Sequence, residues 1–326
     1  MSIRVPGEWE KQKCIILVFP NTNSDWKHSI EEIRDSYIEL IKTIQKYQKC
    51  IILCKDKKEL SSSLSSLTNI QLIEIETNDT WIRDFGGISI YEDDKLKILN
   101  FKFNAWGEKF EYNLDNKVNH KLKNLGIFNN LKDMNFVLEG GSIDSNGDKV
   151  MLTTAKCIFN KNRNPTLSKK QITDKFKKLF GLRDLIILKH GALIGDDTDA
   201  HIDTLARFID KDTIAYVKCY DKNDPHFKEL KQMEEELIQT KYTLLPLPLP
   251  NAIYFKKNRL PVTYLNFIFI NSALIIPTYR DKNDEVVLKI LQNFFPSKDI
   301  IGIDASIFIR EHGSLHCATM NYFLSI

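Results

Sequence analysis

The residues that could carry out a reaction lie far apart along the chain. His316-Cys317 supplies a thiol near the end, and His201-Ile202-Asp203 supplies an imidazole and a carboxylate far upstream. Two further segments, each with an acidic residue before a glycine, add Asp84 and Glu139. A thiol nucleophile, an imidazole that moves protons and several carboxylates suit attack on a carbon that already carries positive charge. A guanidinium group is the commonest biological group of that kind.

The His-x-Asp pair is ambiguous by itself, because such a pair is more often structural than functional. A strand over residues 201–209 would place both side chains on one face. The loop before it, 195–200, is dense in carboxylates, and binding residues tend to collect in such loops. A metal site is the main rival interpretation, ranked second because no EF-hand spacing or His-x-x-x-His pair occurs. Its hard-ligand residues would be Asp196, Asp197, Asp199, His201 and Asp203.

The thiol and the imidazole both need activation. A free cysteine is by default inert core packing, but a neighbouring cation would lower the pKa of Cys317 and raise its thiolate fraction. His316 would point elsewhere if its segment were extended, so it is expected to be structural or supporting. Glu139 is expected to orient His201 and raise its basicity.

Aromatic and acidic residues near position 84 could hold a planar cation. Asp84 would accept guanidinium hydrogen bonds while Trp81 covers the cation or its alkyl stem. Trp106 would add a second aromatic wall. The alternative interpretation is a structural turn with a surface ion pair between Arg83 and Asp84 that contributes little.

Short apolar runs with amphipathic helical stretches between many of them predict an α/β fold. Four helices are expected, over the stretch that follows Asn23–Asp25 to Ile44 and over Ser168–Phe180, His226–Gln239 and Asp284–Phe294. The expected strands are Cys14–Phe19, Cys50–Cys54, Leu72–Ile75, Phe136–Leu138, Leu185–Leu188, Thr213–Val217, Leu265–Ile270, Ala273–Ile276 and Ile300–Ile303.

Two features bear on the architecture. The proline-rich segment from Pro246 to Pro261 cannot be helical and supports a central strand poorly, which predicts a surface excursion. A pattern of acidic, any, glycine, small and aliphatic residues starts at positions 84, 139 and 311, and the second interval is close to three times the first. Such a repeat suggests modules around an axis, as in propellers.

Composition excludes several classes of protein. With 326 residues and 43% hydrophobic content, the chain can bury a substantial core. A net charge of +3 disfavours nucleic-acid binding. The N-terminus has no apolar leader and no run is long enough to span a bilayer, which predicts a cytoplasmic protein with no membrane partner. Six cysteines without a Cys-x-x-Cys pair are expected to be mostly reduced core residues.

Taken together, these residues resemble the agmatine deiminase family of the guanidine-modifying (pentein) superfamily. The matching stretches run nearly from end to end. They are Glu8–Gln12, Asn78–Asp84, Phe103–Gly107, Leu138–Ile143, Gly195–Asp203 and Gly313–Cys317. The chain departs from the family pattern at Ala200, where a glycine is usual, and at Glu311–Ser314, where the approach to the cysteine is normally richer in glycine. Both departures concern loop conformation and tail specificity.

The resemblance implies a single catalytic domain over residues 1–326, built from five ββαβ modules around a pseudo-fivefold axis. It implies that Cys317 is the nucleophile and His201 the general acid and base. Asp84 and Asp203 would clamp the guanidinium, and Glu139 would support them. The expected reaction is hydrolysis of agmatine to N-carbamoylputrescine and ammonia without metal or organic cofactor, in a protein that could form homo-oligomers.

Three alternatives stay open from the sequence. The substrate could be arginine or peptidyl-arginine, because the sequence does not locate the part of the pocket that holds the substrate tail. An amine could replace water in the second step, which would make the protein an amidinotransferase. The chain could also be an inactive member of the superfamily that only binds ligand.

Overall fold

The structure is a computed structural model that describes residues 2–325. Strands and helices alternate along most of the chain, which confirms the predicted α/β class. The strands are β1 Ile3–Arg4, β2 Gln12–Val18, β3 Lys49–Cys54, β4 Ile70–Glu74, β5 Ile88–Glu92, β6 Lys95–Lys102, β7 Leu131–Val137, β8 Ile143–Ser145, β9 Val150–Thr154, β10 Asp184–Leu188, β11 Ala206–Phe208, β12 Thr213–Lys218, β13 Thr243–Pro248, β14 Tyr254–Phe255, β15 Asn258–Arg259, β16 Ile268–Ile270, β17 Ala273–Thr278, β18 Asp299–Asp304 and β19 Thr319–Phe323.

The helices that pack on these strands vary widely in length. The α-helices are α1 Ile30–Ile44, α2 Lys57–Ser61, α3 Ile82–Phe85, α4 Ala105–Glu108, α5 Val118–Asn124, α6 Ala155–Ile158, α7 Lys169–Phe180, α8 Phe227–Ile238 and α9 Asp284–Phe294. Single 3-10 turns cover Asp25–His28, Asp115–Lys117, Gly140–Ser142, Ile202–Thr204 and Phe308–Glu311. The four predicted helices are confirmed, although the first is divided into a 3-10 turn and α1.

Five sheets in residues 2–325 share one pattern of pairing. In each, two antiparallel strands are followed by a third strand that runs parallel to the second and is reached through a helix. The middle strands β2, β9, β12 and β17 are buried almost throughout, and strands buried on both faces read as continuous apolar runs that can be found in the sequence. The five sets are β19-β2-β3, β5-β6-β7, β8-β9-β10, β11-β12-β13 and β16-β17-β18.

Local sequence signals fix the ends and faces of the longer helices. The α7 helix starts at a capping box, in which the side chains of Ser168 and Gln171 bond each other's backbone N–H groups. It ends at Gly181, whose φ of 64° is the left-handed conformation that favours glycine. On α1, Ile33, Tyr37 and Ile41 are buried on one face, as the period of the apolar residues predicts.

The strand predicted over residues 201–209 is wrong in its first half. His201 caps a 3-10 turn over Ile202–Thr204, and the strand covers only Ala206–Phe208. Because the chain turns at this point, the neighbouring positions of His201 and Asp203 come from a tight turn and not from strand alternation.

The predicted surface excursion at Pro246 is also wrong at its start. Residues Thr243–Pro248 form β13, which pairs in parallel with β12 and lies at the edge of its sheet. An edge strand has a neighbour on one side only, so it tolerates prolines that lack the N–H donor. The rest of the segment carries the separate hairpin of β14 and β15.

The buried apolar side chains form one continuous cluster that joins all five sheets. The six cysteines are buried and unpaired, as the sequence predicts for most of them. In residues 2–325, every helix is too short or too polar to cross a membrane.

Candidate active site

Cys317 lies in a turn over residues 315–318, immediately before β19. Its side chain is buried, and its Sγ is 3.8 Å from Oδ2 of Asp203 and 3.3 Å from Nδ2 of Asn266. The sulfur therefore lies beside one of the two carboxylates that the sequence selects. Asn266 had no recognisable signal in the sequence, because it is surrounded by apolar strand residues.

Asp84 lies in the short α3 helix, with both carboxylate oxygens held in place. Its Oδ1 accepts a hydrogen bond from the Gly141 N–H at 2.9 Å, and its Oδ2 accepts one from the Trp106 Nε1–H at 2.9 Å. Trp106 thus positions Asp84 in addition to providing the expected aromatic wall. The alternative of a surface pair with Arg83 is wrong, because Arg83 is buried and its guanidinium bonds Asn321 and pairs with Glu8.

Three of the selected side chains converge at Gly141. A Cβ atom at this glycine would lie 2.7 Å from Nδ1 of His201, 2.9 Å from Oδ1 of Asp84 and 3.1 Å from Oδ2 of Asp203. No side chain fits at such distances, so glycine is required here for steric reasons. The imidazole and the two carboxylates consequently surround one small volume next to the sulfur of Cys317.

Asp203 and His201 both retain unused hydrogen-bonding atoms. Oδ1 of Asp203 is buried without a hydrogen-bond partner in residues 2–325, and the buried ring nitrogens of His201 have only the thiol of Cys157 as a weak neighbouring partner. The closest approach of the imidazole to a carboxylate is 3.6 Å, from Nδ1 to Oδ1 of Asp84. Buried polar atoms are normally paired, so unpaired atoms at one place indicate a site prepared for a ligand.

A cavity of about 280 Å³ opens onto Asp84 and Cys317, whereas His201 and Asp203 are not among the described residues that line it. Asp84 and Cys317 form part of its wall, together with the rings of Trp81 and Trp106. The Trp81 ring packs so closely on Gly313 that a Cβ there would lie 2.5 Å from it. Both tryptophans line the cavity, and their coverage of a planar cation stays a prediction.

The remainder of this cavity is acidic, which the sequence did not reveal. His312 is the sole basic side chain among the described lining residues, and its Nδ1 bonds the backbone oxygen of Gly195. The lining carboxyl groups other than Asp84 are those of Asp25, Asp79, Asp197 and Glu311, and burial raises the pKa of Asp79 to about 8, so the negative charge at neutral pH comes mainly from the other three. A cavity of this kind attracts a ligand with a second positive charge and repels a carboxylate.

His316 supports Asp203, as expected. It points toward the site, because its segment is not extended. The segment is a turn, so the imidazole reaches Asp203 Oδ2 through Nδ1 at 2.7 Å and Glu8 Oε1 through Nε2 at 2.7 Å. Glu8 is paired in turn with Arg207. This chain of buried contacts fixes one carboxylate oxygen of Asp203 and leaves the other free.

Glu139 is buried behind the imidazole and bound to Arg163. The Arg163 Nε–H donates to both oxygens of Glu139, at 2.8 and 3.0 Å. The same guanidinium bonds Asp199 and the backbone oxygen of Thr198, which ties Glu139 to the loop before His201. Glu139 therefore does not bond His201 directly, because its oxygens bind Arg163, but its nearby charge helps to raise the pKa of the imidazole, as predicted.

Two of the carboxylates that the metal interpretation of the 195–203 loop would use are already bonded to protein groups. Asp196 accepts hydrogen bonds from the backbone of Thr198 and Ala200, and Asp199 pairs with Arg163. In the described residues, the ligand-type atoms that lie within 4.8 Å of one another belong to Glu139, Cys157 and His201. A cation there would face the guanidinium of Arg163.

The backbone of this loop explains one departure from the family pattern. Ala200 has a φ of 65°, in the left-handed region where glycine is favoured. Its N–H donates to Asp196 and its C=O accepts from the Thr154 hydroxyl, so hydrogen bonds hold the conformation in spite of the Cβ. Ala200 therefore keeps His201 in place without a glycine. His312, in the second departure, also has a left-handed φ of 67°.

Burial and charge shift the pKa values of the two acids in opposite directions. Burial, assisted by the charge of Asp203, raises the pKa of Asp84 to about 6, although His201 opposes the shift. Burial also acts to raise the pKa of Asp203, but the hydrogen bond and charge of His316 outweigh it and the net pKa is lowered. Asp203 therefore keeps its negative charge to a lower pH than a free carboxyl, whereas Asp84 loses its charge as the pH falls through about 6.

The pKa values of Cys317 and His201 are both raised, so the thiol and the imidazole are both protonated before substrate binds. Burial raises the pKa of Cys317 well above its usual range, and Asp203 and Asp84 raise it further. Burial lowers the pKa of His201, but Asp84 and other negative neighbours raise it more, so the ring is protonated at neutral pH. An arriving cation would neutralise the two carboxylates and lower the pKa of the thiol.

Known proteins resemble the chain over almost its whole length. The family described as Porphyromonas-type peptidyl-arginine deiminase matches residues 4–322. A cysteine-to-serine variant of C. jejuni agmatine deiminase with substrate bound is 47% identical, with a TM-score of 0.97 over 99% of this chain and 97% of that one. C. jejuni agmatine deiminase itself is 46% identical, with a TM-score of 0.95 over 100% and 97% of the two chains.

A more distant structure shares the fold alone. An amidinotransferase from Microseira wollei is 13% identical, with a TM-score of 0.55 over 98% of this chain and 96% of that one. The mixed α/β fold is thus common to deiminases and an amidinotransferase. With the family match, these comparisons confirm the resemblance seen in the sequence: the chain belongs to the Porphyromonas-type peptidyl-arginine deiminase family.

Proposed function

We propose that this protein is an agmatine deiminase, which hydrolyses the guanidinium group of agmatine to N-carbamoylputrescine and ammonia. The observation that carries the proposal is the convergence of thiol, imidazole and two carboxylates beside a cavity with an acidic opening. The likeness to an agmatine deiminase with substrate bound supports the same reaction.

Binding begins with the two carboxylates. Asp84 and Asp203 hold the planar cation by charge-assisted hydrogen bonds, for which Oδ1 of Asp203 is free. Trp81 and Trp106 cover the faces of the cation. These contacts bring the guanidinium carbon to the sulfur of Cys317, and the main gain is orientation of the two reacting atoms.

The chemical step follows from the charges. The cation neutralises Asp84 and Asp203, the thiol gives its proton to solvent, and the thiolate adds to the guanidinium carbon to form a C–S bond. His201, protonated beforehand, gives its proton to one nitrogen, and the C–N bond breaks as ammonia leaves. An amidino-thioether cation is left on Cys317. His201 then takes a proton from water, and the resulting hydroxide adds to the same carbon. The C–S bond breaks, the hydroxyl proton passes to the leaving sulfur, and the ureido product is released with the thiol and the imidazolium restored.

The acidic opening favours agmatine over arginine. Agmatine ends in an ammonium, which Asp197 or Glu311 would bind, whereas arginine carries a carboxylate beside the ammonium at the same end. Recognition of that carboxylate would require a cation, and no Lys or Arg lines this cavity among the described residues. Peptidyl-arginine lacks the terminal charge and would gain nothing from these carboxylates.

The test is a comparison of agmatine, arginine and an arginine peptide in a colour assay for ureido products. We expect kcat/KM for agmatine to exceed both others by about 10²-fold, because a buried charge left unpaired is costly. Asp197→Asn should reduce this ratio mainly by raising KM for agmatine, and Asp174→Asn, on the exposed face of α7, is the matched control. Preference for arginine would refute the substrate assignment. Amidine transferred to an added amine would indicate the amidinotransferase reaction.

The pH dependence of agmatine turnover should report on Asp84. Because the folded protein raises the pKa of this carboxyl to about 6, the group is neutral below that pH and the clamp loses one charge. We expect kcat/KM to fall about tenfold for each pH unit below about 6. The measurement is kcat/KM for agmatine between pH 4.5 and 8 in buffers of constant ionic strength. A flat profile across pH 5 to 7 would contradict the role given to Asp84.

For the architecture, we propose that the five sheets are copies of one ββαβ unit arranged about a pseudo-fivefold axis, within a single catalytic domain over residues 1–326. The shared pattern of strand pairing supports the repeat. The acidic-x-Gly segments at 84, 139 and 311 all contribute to the site, as expected of equivalent turns that face a common centre.

A further inference from the structure

Asn266 is a buried side chain that bonds three atoms of the His316-Cys317 turn. It is fully buried in the segment that precedes β16, about fifty residues upstream of the cysteine. Its Oδ1 accepts hydrogen bonds from the backbone N–H groups of His316, at 2.9 Å, and Cys317, at 3.2 Å. Its Nδ2 lies 3.3 Å from the Cys317 sulfur.

The contacts settle which end of the amide faces the sulfur. Backbone N–H groups can only donate, so the atom that meets both of them must be the amide oxygen. The NH₂ group of Asn266 therefore faces Sγ as a donor. A second bond fixes the same geometry, because the His316 N–H also lies 3.1 Å from the backbone oxygen of Asn266.

The sulfur otherwise lies in negative surroundings. Asp203 is 3.8 Å away, and both Asp203 and Asp84 disfavour a thiolate before the cation arrives. A donor on the sulfur favours the thiolate and the outgoing sulfur of the second step. A neutral amide can do this without repelling the cationic substrate, whereas a lysine or arginine would compete for the same carboxylates.

We propose that Asn266 is a catalytic residue, whose NH₂ group stabilises negative charge on the Cys317 sulfur while its oxygen fixes the turn that carries it. This inference rests on the proposed role of Cys317 as nucleophile. The amide adds to the hydrogen bond that the backbone of Ser314 gives the same sulfur, and it comes from outside the motifs and the clamp.

Asn266→Asp separates the two roles of the amide. The aspartate keeps an oxygen for both N–H groups, so the turn retains its acceptor, but a carboxylate oxygen replaces the donor at the sulfur. We expect the pH midpoint for alkylation of Cys317 by iodoacetamide to rise by at least about one unit. We expect kcat for agmatine to fall by about 10²-fold, as for loss of one transition-state donor, with a smaller change in KM.

Alkylation is followed by mass spectrometry of the peptide that contains Cys317, because five other cysteines are present. Asn266→Ala lacks donor and acceptor and adds no charge, so it should shift the midpoint upward by a smaller amount if the donor matters, and it decides the question if the aspartate variant does not fold. Asn119→Asp is the matched control. Asn119 is also a buried asparagine that accepts a backbone N–H, but it bonds Gly87 and not the sulfur.

An alkylation midpoint that stays at the wild-type value in both Asn266 variants would overturn the proposal, whatever happens to turnover. A shift in Asn119→Asp of the same size would also overturn it, because the effect would then come from a buried charge anywhere in the core. If the wild-type protein fails to turn over agmatine, the proposed function is wrong, yet the alkylation profile still measures the contact between Asn266 and the thiol.

Discussion

Cys317→Ser is expected to reduce agmatine turnover by at least about 10⁴-fold while the protein stays folded. The Ser hydroxyl is a far weaker nucleophile than a thiolate, and the site has no base suited to activate it, since His201 already holds a proton. Serine is close to cysteine in size, so the turn over residues 315–318 should keep its geometry. The measurement is kcat with agmatine in saturating amounts, together with the unfolding temperature of both proteins.

Two further results would make this loss specific. Agmatine should still raise the unfolding temperature of the Cys317→Ser variant, because Asp84 and Asp203 remain to bind it. Cys219→Ser is the matched control, since Cys219 is also buried and unpaired but is not among the residues that line the cavity. A Cys317→Ser variant that turns over agmatine at a tenth of the normal rate or better would refute the nucleophile assignment.

Asp203→Asn should lower kcat/KM for agmatine by about 10³-fold, the second largest effect expected. The variant removes the charge that is fully present at neutral pH, and the amide NH₂ would point a donor at the donors of the guanidinium. Binding and rate should both suffer, because one carboxylate attracts the cation and also fixes its carbon next to Sγ at the site. Initial rates over a range of agmatine concentrations would separate KM from kcat.

A variant of His316 tests whether Asp203 acts mainly through its charge or through its position. His316→Gln keeps the carboxyl of Asp203 and the charges of His201 and Arg207 that favour its ionised form, but it removes the imidazole that holds it at 2.7 Å. A positional role predicts a smaller loss in this variant than in Asp203→Asn. If Asp203→Asn retained normal KM and lost only kcat, the residue would act in the chemical step alone, and the two-sided clamp would be wrong.

The sequence identified the residues at the centre of the site because they belong to local motifs. Cys317, His201, Asp203, Asp84 and Glu139 each lie in a segment where polar or glycine residues interrupt apolar runs. A local pattern of that kind reports an exposed or functional turn. Their convergence could not be calculated from spacing, and the strand that was predicted to align His201 with Asp203 is in fact a 3-10 turn.

The residues that the sequence did not reveal act across long separations. Asn266, Arg163 and Glu8 lie within apolar or ordinary polar surroundings, and their partners at Cys317, Glu139 and His316 are set by the packing of different sheets. A single sequence carries no signal for such pairings. The acidic opening was missed for the same reason, since its four carboxylates come from four separate loops.

The two carboxylates at Gly141 have a practical consequence for anyone who unfolds this protein. Guanidinium chloride, the usual denaturant, is the bare form of the cation that Asp84 and Asp203 are arranged to accept. At millimolar concentration it should occupy the folded state and stabilise it before higher concentrations unfold it. Titrations in that salt would then mix ligand binding with loss of structure, whereas uncharged urea would measure folding alone.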